Sequence, residues 1–191
     1  MIEHPYPQGT DDWLEARRGV ITASRAKDAR DRDSKGKPSA KMLNYAMDTA
    51  RERCGGKAAP VYQNAAMRMG SEEEQFAAIE YMARTGRALS EAFFITTDDR
   101  KFGLSLDRWV NAEAAIEVKT MVSSATLFKA MVEGDISEYR DQCVFALWAL
   151  RLQWVDLCLW APDLPNPLKV IRITRDEAEI QRLEDDMVAF D

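Results

Sequence analysis

An α/β fold, with a central mixed β-sheet flanked by helices, is what this sequence predicts, and three observations predict it. The chain reads in the order helices, a strand meander, helices, two strands and a final helix, which is the pattern of a layered α/β core. The run Ala115-Ile116-Glu117-Val118-Lys119-Thr120 alternates with period two, the mark of a strand with two different faces. At 191 residues and 46% hydrophobic, the chain is long enough to bury a real core and short enough for one domain over residues 1–191.

The first residues, around His4, read as unstructured. Asp11 to Arg18 reads as a short helix with acidic residues in its first turn and Gly19 as its stop. Thr22 or Ser24 is placed to cap a second helix. Asp31-Arg32-Asp33-Ser34-Lys35-Gly36-Lys37-Pro38 has the composition of a basic loop. Met42 to Cys54 reads as a helix closed by Gly55-Gly56, and Gln63 to Arg84 as another, with Gly70 inside it and Gly86 after it. Strands are predicted at about 90–97, 103–110 and 114–120, with Asn111-Ala112-Glu113-Ala114 as the turn between the last two. Helices near 124–133 and 137–151 come next, then strands at 153–160 and 169–173. Asp176 to Phe190 forms the final, acidic helix. No internal repeat or low-complexity tract interrupts this order.

Composition narrows the chemistry. No apolar run reaches spanning length and no basic-then-apolar segment opens the chain, so neither a membrane helix nor a secretory signal is expected. Cys54, Cys143 and Cys158 are odd in number and scattered, which argues for a reducing cytoplasm and against a cysteine metal cluster. A single histidine, His4, excludes a Ser-His-Asp triad and histidine-based zinc chemistry. Any hydrolysis must use carboxylates, lysine and a hard metal. The net charge is −6, yet Arg17 to Lys57 holds twelve basic residues against five acidic ones, a local excess of +7. Such a field can steer phosphate while the acidic remainder repels it; it is also what a solvated helical surface looks like.

The segment Gly103 to Val110 reads as the strand before Ala114–Thr120, and an antiparallel turn between them brings Asp107 close to Glu117. Period two puts Glu117 and Lys119 on one face and Ile116 and Val118 on the other. An aspartate followed ten residues later by Glu-x-Lys is how many nucleases hold a divalent metal beside a scissile phosphate. Hard carboxylate oxygens suit Mg²⁺ or Mn²⁺, and the Lys119 ammonium can orient or help deprotonate an attacking water. Taken alone, the same pattern also describes an exposed hairpin with a salt bridge.

Three separated blocks, Trp13 to Ser24, Gly70 to Gly86 and Ser105 to Gln142, together resemble the lambda-exonuclease or YqaJ-type branch of the PD-(D/E)XK nuclease superfamily, across about Gln8 to Trp160. Trp13-Leu14-Glu15-Ala16-Arg17-Arg18-Gly19-Val20-Ile21-Thr22-Ala23-Ser24 matches the family's W-x3-R-x-G-x-I-T-A-S. Gly70-x3-Glu74 runs on to Tyr81 and Thr85-Gly86. Ser105-x-Asp107 with Glu117-x-Lys119 is followed by Tyr139-x2-Gln142. The resemblance implies a restriction-endonuclease-like core and the following roles. Arg17 and Ser24 hold the 5′-terminal phosphate. Glu74, which shares a helix face with Ala77, Ala78 and Tyr81, reaches the metal site. Asp107 and Glu117 are the core ligands, joined by the Val118 carbonyl; Lys119 activates water and Gln142 supports the site. Departures are Leu106 where proline is usual, Arg108 where glycine is usual, and Met69 before Gly70 where tryptophan is common. Trp109, Trp148, Trp154 and Trp160 are read as core or core-edge aromatics.

The resemblance further implies a Mg²⁺-dependent (or Mn²⁺-dependent) 5′-to-3′ exonuclease on double-stranded DNA ends. It would release 5′-mononucleotides and leave a 3′ overhang for recombination, as a homotrimer ring with a single-strand annealing partner, in a phage or prophage setting in the bacterial cytoplasm. A related endonuclease, or a DNA-end-binding protein of the same fold without activity, remains as an alternative.

Overall fold

The computed structural model describes residues 1–57 and 65–191. In chain order the elements are β1 (Ile2–His4), α1 (Asp11–Arg17), β2 (Ile21–Thr22), α2 (Ala26–Ala29), α3 (Ala40–Arg53), α4 (Ala65–Thr85), β3 (Ser90–Glu91), β4 (Phe94–Thr96), β5 (Phe102–Ser105), β6 (Arg108–Asn111) and β7 (Ala114–Thr120). They continue with α5 (Ser124–Leu127), a π-helical turn over Phe128–Val132, α6 (Ser137–Ala149), β8 (Trp154–Trp160), β9 (Leu168–Thr174) and α7 (Glu177–Phe190). Gln63, where the sequence begins its fourth helix, lies outside the described residues.

Helix ends follow local chemistry. The Thr10 hydroxyl accepts the Trp13 amide at the start of α1, Ser39 accepts that of Met42 at α3, and Asp176 accepts that of Glu179 at α7. Thr22 makes no such cap: a 3-10 turn over Ala23–Arg25 precedes α2, and the Thr22 hydroxyl lies 3.4 Å from that of Ser24. Gly19 ends α1 at φ +70°, and a Cβ there would stand 2.8 Å from Arg53 Cγ. Its amide donates to Glu52 Oε2 at 2.7 Å and its carbonyl accepts from Arg53 Nε at 2.8 Å, so α3 clamps this turn.

Two sheets form rather than one. The five-stranded sheet has the order β3-β6-β7-β8-β9, antiparallel except for the parallel β7–β8 pair. The second sheet, β1-β4-β5-β2, is antiparallel except for β2–β5. The start of the chain, read as unstructured, is therefore an edge strand: Ile2 pairs with Thr96 and His4 with Phe94. The run 103–110 is likewise not one strand. It breaks at Leu106–Asp107, with β5 in one sheet and β6 in the other. Residues 90–97 split in the same way into β3 and β4. Each half has found a different partner, and local β-propensity is blind to that choice.

α5, the π turn and α6 make the crossover that a parallel β7–β8 pair requires. Helices then cover both faces of β7 and β8. One face, with Ala115, Val155, Leu157 and Leu159, packs in the main core against α6 and α7. The other, with Ile116, Val118, Cys158 and Trp160, packs on Ala77, Ala78 and Tyr81 of α4. Burial on both sides explains the nearly unbroken apolar run of β8. Its one charge, Asp156, is 1% exposed. It accepts Tyr81 Oη at 2.7 Å and two Arg172 nitrogens at 2.8 Å each, so no buried charge is left unpaired there. The predicted tryptophan roles fit: Trp148 packs edge-on to Phe102 and Phe145, Trp109 lies against the core, Trp160 is buried, and Trp154 lies under Arg172 at the core edge.

Candidate active site

The break at Leu106–Asp107 places an aspartate where the two sheets meet. Leu106 is buried and anchors the bend. In the β6–β7 register Arg108 faces Ile116, which brings Asp107 beside Glu117, as the turn in the sequence requires. Asp107 Oδ2 accepts the Val118 amide at 2.5 Å, fixing the carboxylate against β7. Ile116 and Val118 face α4, whereas Glu117 and Lys119 face α6, so the period-two reading holds.

Glu117 is only 5% exposed. Its Oε1 receives Lys119 Nζ at 2.8 Å and Gln142 Nε2 at 2.6 Å. Gln142 projects from α6 one turn after Tyr139, whose ring centre lies 6.0 Å from Lys119 Nζ. Burial alone would lower the Lys119 ammonium, but the Glu117 and Asp107 carboxylates outweigh it and hold the group above its ordinary value. Asp107 is raised well above the usual carboxylate range, first by burial and then by repulsion from Glu117 and Glu74. Glu74 is raised too, by burial, with the Arg108 guanidinium pulling the other way.

Glu74 comes from α4, on the opposite side of β7 from Glu117, with Ala77, Ala78 and Tyr81 of the same helix buried behind it. Its carboxylate forms an ion pair with Arg108, whose guanidinium also donates to the Asp107 carbonyl. Glu73 is tied elsewhere, accepting Trp160 Nε1 at 2.8 Å.

Two adjoining clefts share Asp107 as a common wall. One, of about 380 Å³, is lined by Arg17, Ser24, Asp107, Glu117, Lys119 and Gln142. The other, of about 350 Å³, lies on the Glu74 and Arg108 side. Arg17 sits over two rings, 4.3 Å from the Trp13 centroid and 5.1 Å from that of Phe94. Burial lowers its pKa, offset in part by Tyr45 and Glu52, and it makes no ion pair among the described residues. Ser24 is exposed on the same wall. Six of the seven side chains named from the sequence thus line one cleft, and Glu74 lines its neighbour. Val118 enters only through its backbone, since its side chain packs on α4.

Three residues of these walls, Trp13, Ser105 and Arg108, and Tyr139 beside Lys119 carry no assigned role in the sequence reading. Trp13 lines both clefts and supports Arg17 from one helical turn away, a spacing of i to i+4 that the sequence does display. Ser105 also lines both, and its buried Oγ has no hydrogen-bond partner; it precedes Asp107 by two, the strand-face period. Tyr139 and Arg108 stand out in the sequence as a motif position and a departure from the family, but their contacts with Lys119 and Glu74 form only on folding. The basic stretch is partly consumed internally: Arg25 pairs with Asp28, Arg30 with Asp141 and Asp186, and Arg53 with Asp191. Arg32, Lys35, Lys37 and Lys41, in and beside the 31–39 loop, stay exposed.

The residues fit a divalent cation. The donor set is hard oxygen throughout, and the mutual repulsion felt at Asp107 is the condition that a bound cation relieves. Among the described residues, no three acidic, histidine or cysteine side chains converge closely enough to enclose one ion by themselves.

The YqaJ-like viral recombinase domain matches residues 12–150, a span that contains every one of these side chains. The chain belongs to the YqaJ-like viral recombinase family. Among solved structures, the alkaline exonuclease LHK-Exo of Laribacter hongkongensis is 30% identical, with a TM-score of 0.82 over 95% of this chain and 90% of that one. The same enzyme in complex with dAMP gives 0.83 at the same identity and coverage. A phage-related exonuclease from Haemophilus somnus 129PT shares the fold at 14% identity, with a TM-score of 0.72 over 90% and 91% of the two chains. No curated protein sequence matches the chain. The PD-(D/E)XK-like fold read from the sequence is therefore present, and membership of the YqaJ-like family supports a DNA exonuclease. Among the described residues no helix is long and apolar enough to cross a membrane.

Proposed function

We propose that this YqaJ-like chain, as one nuclease domain over residues 1–191, is a 5′-to-3′ exonuclease of double-stranded DNA ends. In this reading it uses Mg²⁺, with Mn²⁺ as a substitute, to release 5′-mononucleotides and leave a 3′ overhang for recombination. The observation that carries the polarity is Arg17: a desolvated guanidinium without a carboxylate partner among the described residues, beside the Ser24 hydroxyl, in the same cleft as Asp107, Glu117 and Lys119. A terminal phosphate satisfies that guanidinium with charge-assisted hydrogen bonds, and the next phosphodiester then lies toward the carboxylates.

Asp107, Glu117 and the Val118 carbonyl, with Glu74 from the adjoining wall, would hold the cation. When bound, it polarises the phosphate and lowers the pKa of a water. Lys119 is kept protonated by its carboxylate neighbours, so it serves as a donor that orients water or a phosphate oxygen rather than as a free base. Gln142 fixes Glu117 from α6, and the exposed basic residues of the 31–41 segment attract the duplex.

A homotrimer ring, a single-strand annealing partner and action in the bacterial cytoplasm during phage recombination complete the proposal. The test is digestion of linear duplex labelled at either end, with and without a 5′-phosphate, in Mg²⁺ and in EDTA. Metal-dependent loss from the phosphorylated 5′ end, with closed circles spared, is the expected result. Cutting of circles would indicate an endonuclease, and bound ends without any product would indicate an end-binding protein.

A further inference from the structure

Arg108 has no part in the proposed reaction, yet it occupies the centre of the Glu74 side. It opens β6 immediately after Asp107, and one nitrogen, Nη1, donates to both Glu74 Oε1 and the Asp107 carbonyl. The pair is sheltered, with the two side chains 28% and 21% exposed. Glu74 also feels the negative charge of Glu117, so this wall requires positive charge from somewhere. Arg108 supplies it from the protein itself. A guanidinium and a divalent cation cannot both take the same carboxylate oxygen at full strength, because each must replace the water or donor held by the other.

We propose that Arg108 is a metal-competing residue: its guanidinium holds the Glu74 carboxylate until a divalent cation takes it, which weakens the chain's grip on that cation. This rests on the reading above, that the carboxylates hold a metal. It goes beyond that reading by assigning the affinity of the site to a side chain that is not a ligand. The carboxylates alone would bind more tightly; the arginine sets the cation concentration at which the site fills.

The measurement is Mn²⁺ binding to the EDTA-stripped full chain without DNA, followed by the electron paramagnetic resonance signal of free Mn²⁺. Arg108→Ala is expected to bind Mn²⁺ about tenfold more tightly, the equivalent of one charge-assisted hydrogen bond removed from competition. Glu74→Gln should abolish the gain, so that the double variant binds no better than Glu74→Gln alone. Unchanged or weaker binding by Arg108→Ala overturns the proposal. So does an equal gain in the Glu74→Gln background, which would mean a general charge effect. Arg108→Gln, which keeps a donor but not the charge, carries the same expectation if the alanine variant does not fold. Asp107→Asn separates the layers of the argument. If it binds Mn²⁺ like the parent chain, the metal-centre reading itself fails; if it loses Mn²⁺ while Arg108→Ala is unchanged, only the role of Arg108 fails.

Discussion

Replacing Lys119 with methionine removes one charge, keeps most of the volume, and separates the two tasks this side chain performs. Its Nζ lies 2.8 Å from Glu117 Oε1, and among the described residues the Glu117 side chain is otherwise held only by Gln142 Nε2 at 2.6 Å. Breaking a largely buried ion pair on one side leaves the other charge uncompensated, at a cost of about 3 kcal/mol. For a chain of this size that lowers the melting temperature by roughly 6–12 °C. Mg²⁺ should restore much of the loss, because it neutralises the same carboxylates. Turnover should not recover: without the donor beside the reacting phosphate, the single-turnover rate is expected to fall about 10²–10⁴-fold. End binding in EDTA should stay close to that of the parent chain. The assay is single-turnover digestion of a 5′-phosphorylated duplex, paired with thermal melts with and without Mg²⁺. A variant that cuts at near-parental rate would refute the role given to Lys119. A rate loss matched by an equal loss of end binding would assign the residue to substrate grip instead.

Arg17→Ala should erase the preference for phosphorylated over unphosphorylated 5′ ends, a factor of about 10–100 for a buried charge-assisted contact, measured as the ratio of kcat/KM on the two substrates. Tyr81→Phe should cost about 1–2 kcal/mol in chemical denaturation, since among the described residues the Asp156 carboxylate then keeps only Arg172, with cutting by the folded variant unchanged. The pH dependence follows from Asp107, whose folded-state pKa is raised by burial and by its carboxylate neighbours. Above its unfolded value, about 4, the folded chain binds more protons at Asp107 than the unfolded chain. This contribution to stability is therefore complete below that value and is lost as pH rises through the raised one. Without metal the melting temperature should fall across that window, and the stabilisation gained on adding Mg²⁺ should grow with pH; Asp107→Asn should flatten both trends.

The pattern of the candidate site was legible because it is written in short-range order. Period two set Glu117 and Lys119 together on one face, helical spacing turned Glu74 to the side of Ala77, Ala78 and Tyr81, and a turn of a few residues brought Asp107 beside Glu117. What escaped depends on distant partners. Nothing local in Gly103–Val110 signals that Leu104 will pair with Ile95 in a second sheet while Trp109 pairs with Ala115 across the predicted turn, so one apparent strand became two. Ile2–His4 is too short to declare itself without the edge of β4. The Tyr81–Asp156–Arg172 triad and the Arg108–Glu74 pair join residues from different elements, and no spacing within a single segment announces them. Arg108 was visible as a departure from its family, but its effect was not, because that depends on where α4 delivers Glu74.

The bend between β5 and β6 has a consequence for how far the proposed exonuclease would advance at each cut. The proposed phosphate grip belongs to the sheet that contains β2, β4 and β5, with Arg17 over Phe94 of β4 and Ser24 in the turn directly after β2, whereas Glu117 and Lys119 belong to the sheet that contains β7. Two links of two residues each, Ala92–Phe93 and Leu106–Asp107, join those sheets, and the Leu106 side chain is buried. In the proposed reading, the separation between where a strand end is held and where it is severed is therefore set by these short links. A gauge made this way would count nucleotides without reading them, which is what an exonuclease indifferent to sequence needs in order to remove the same increment every time.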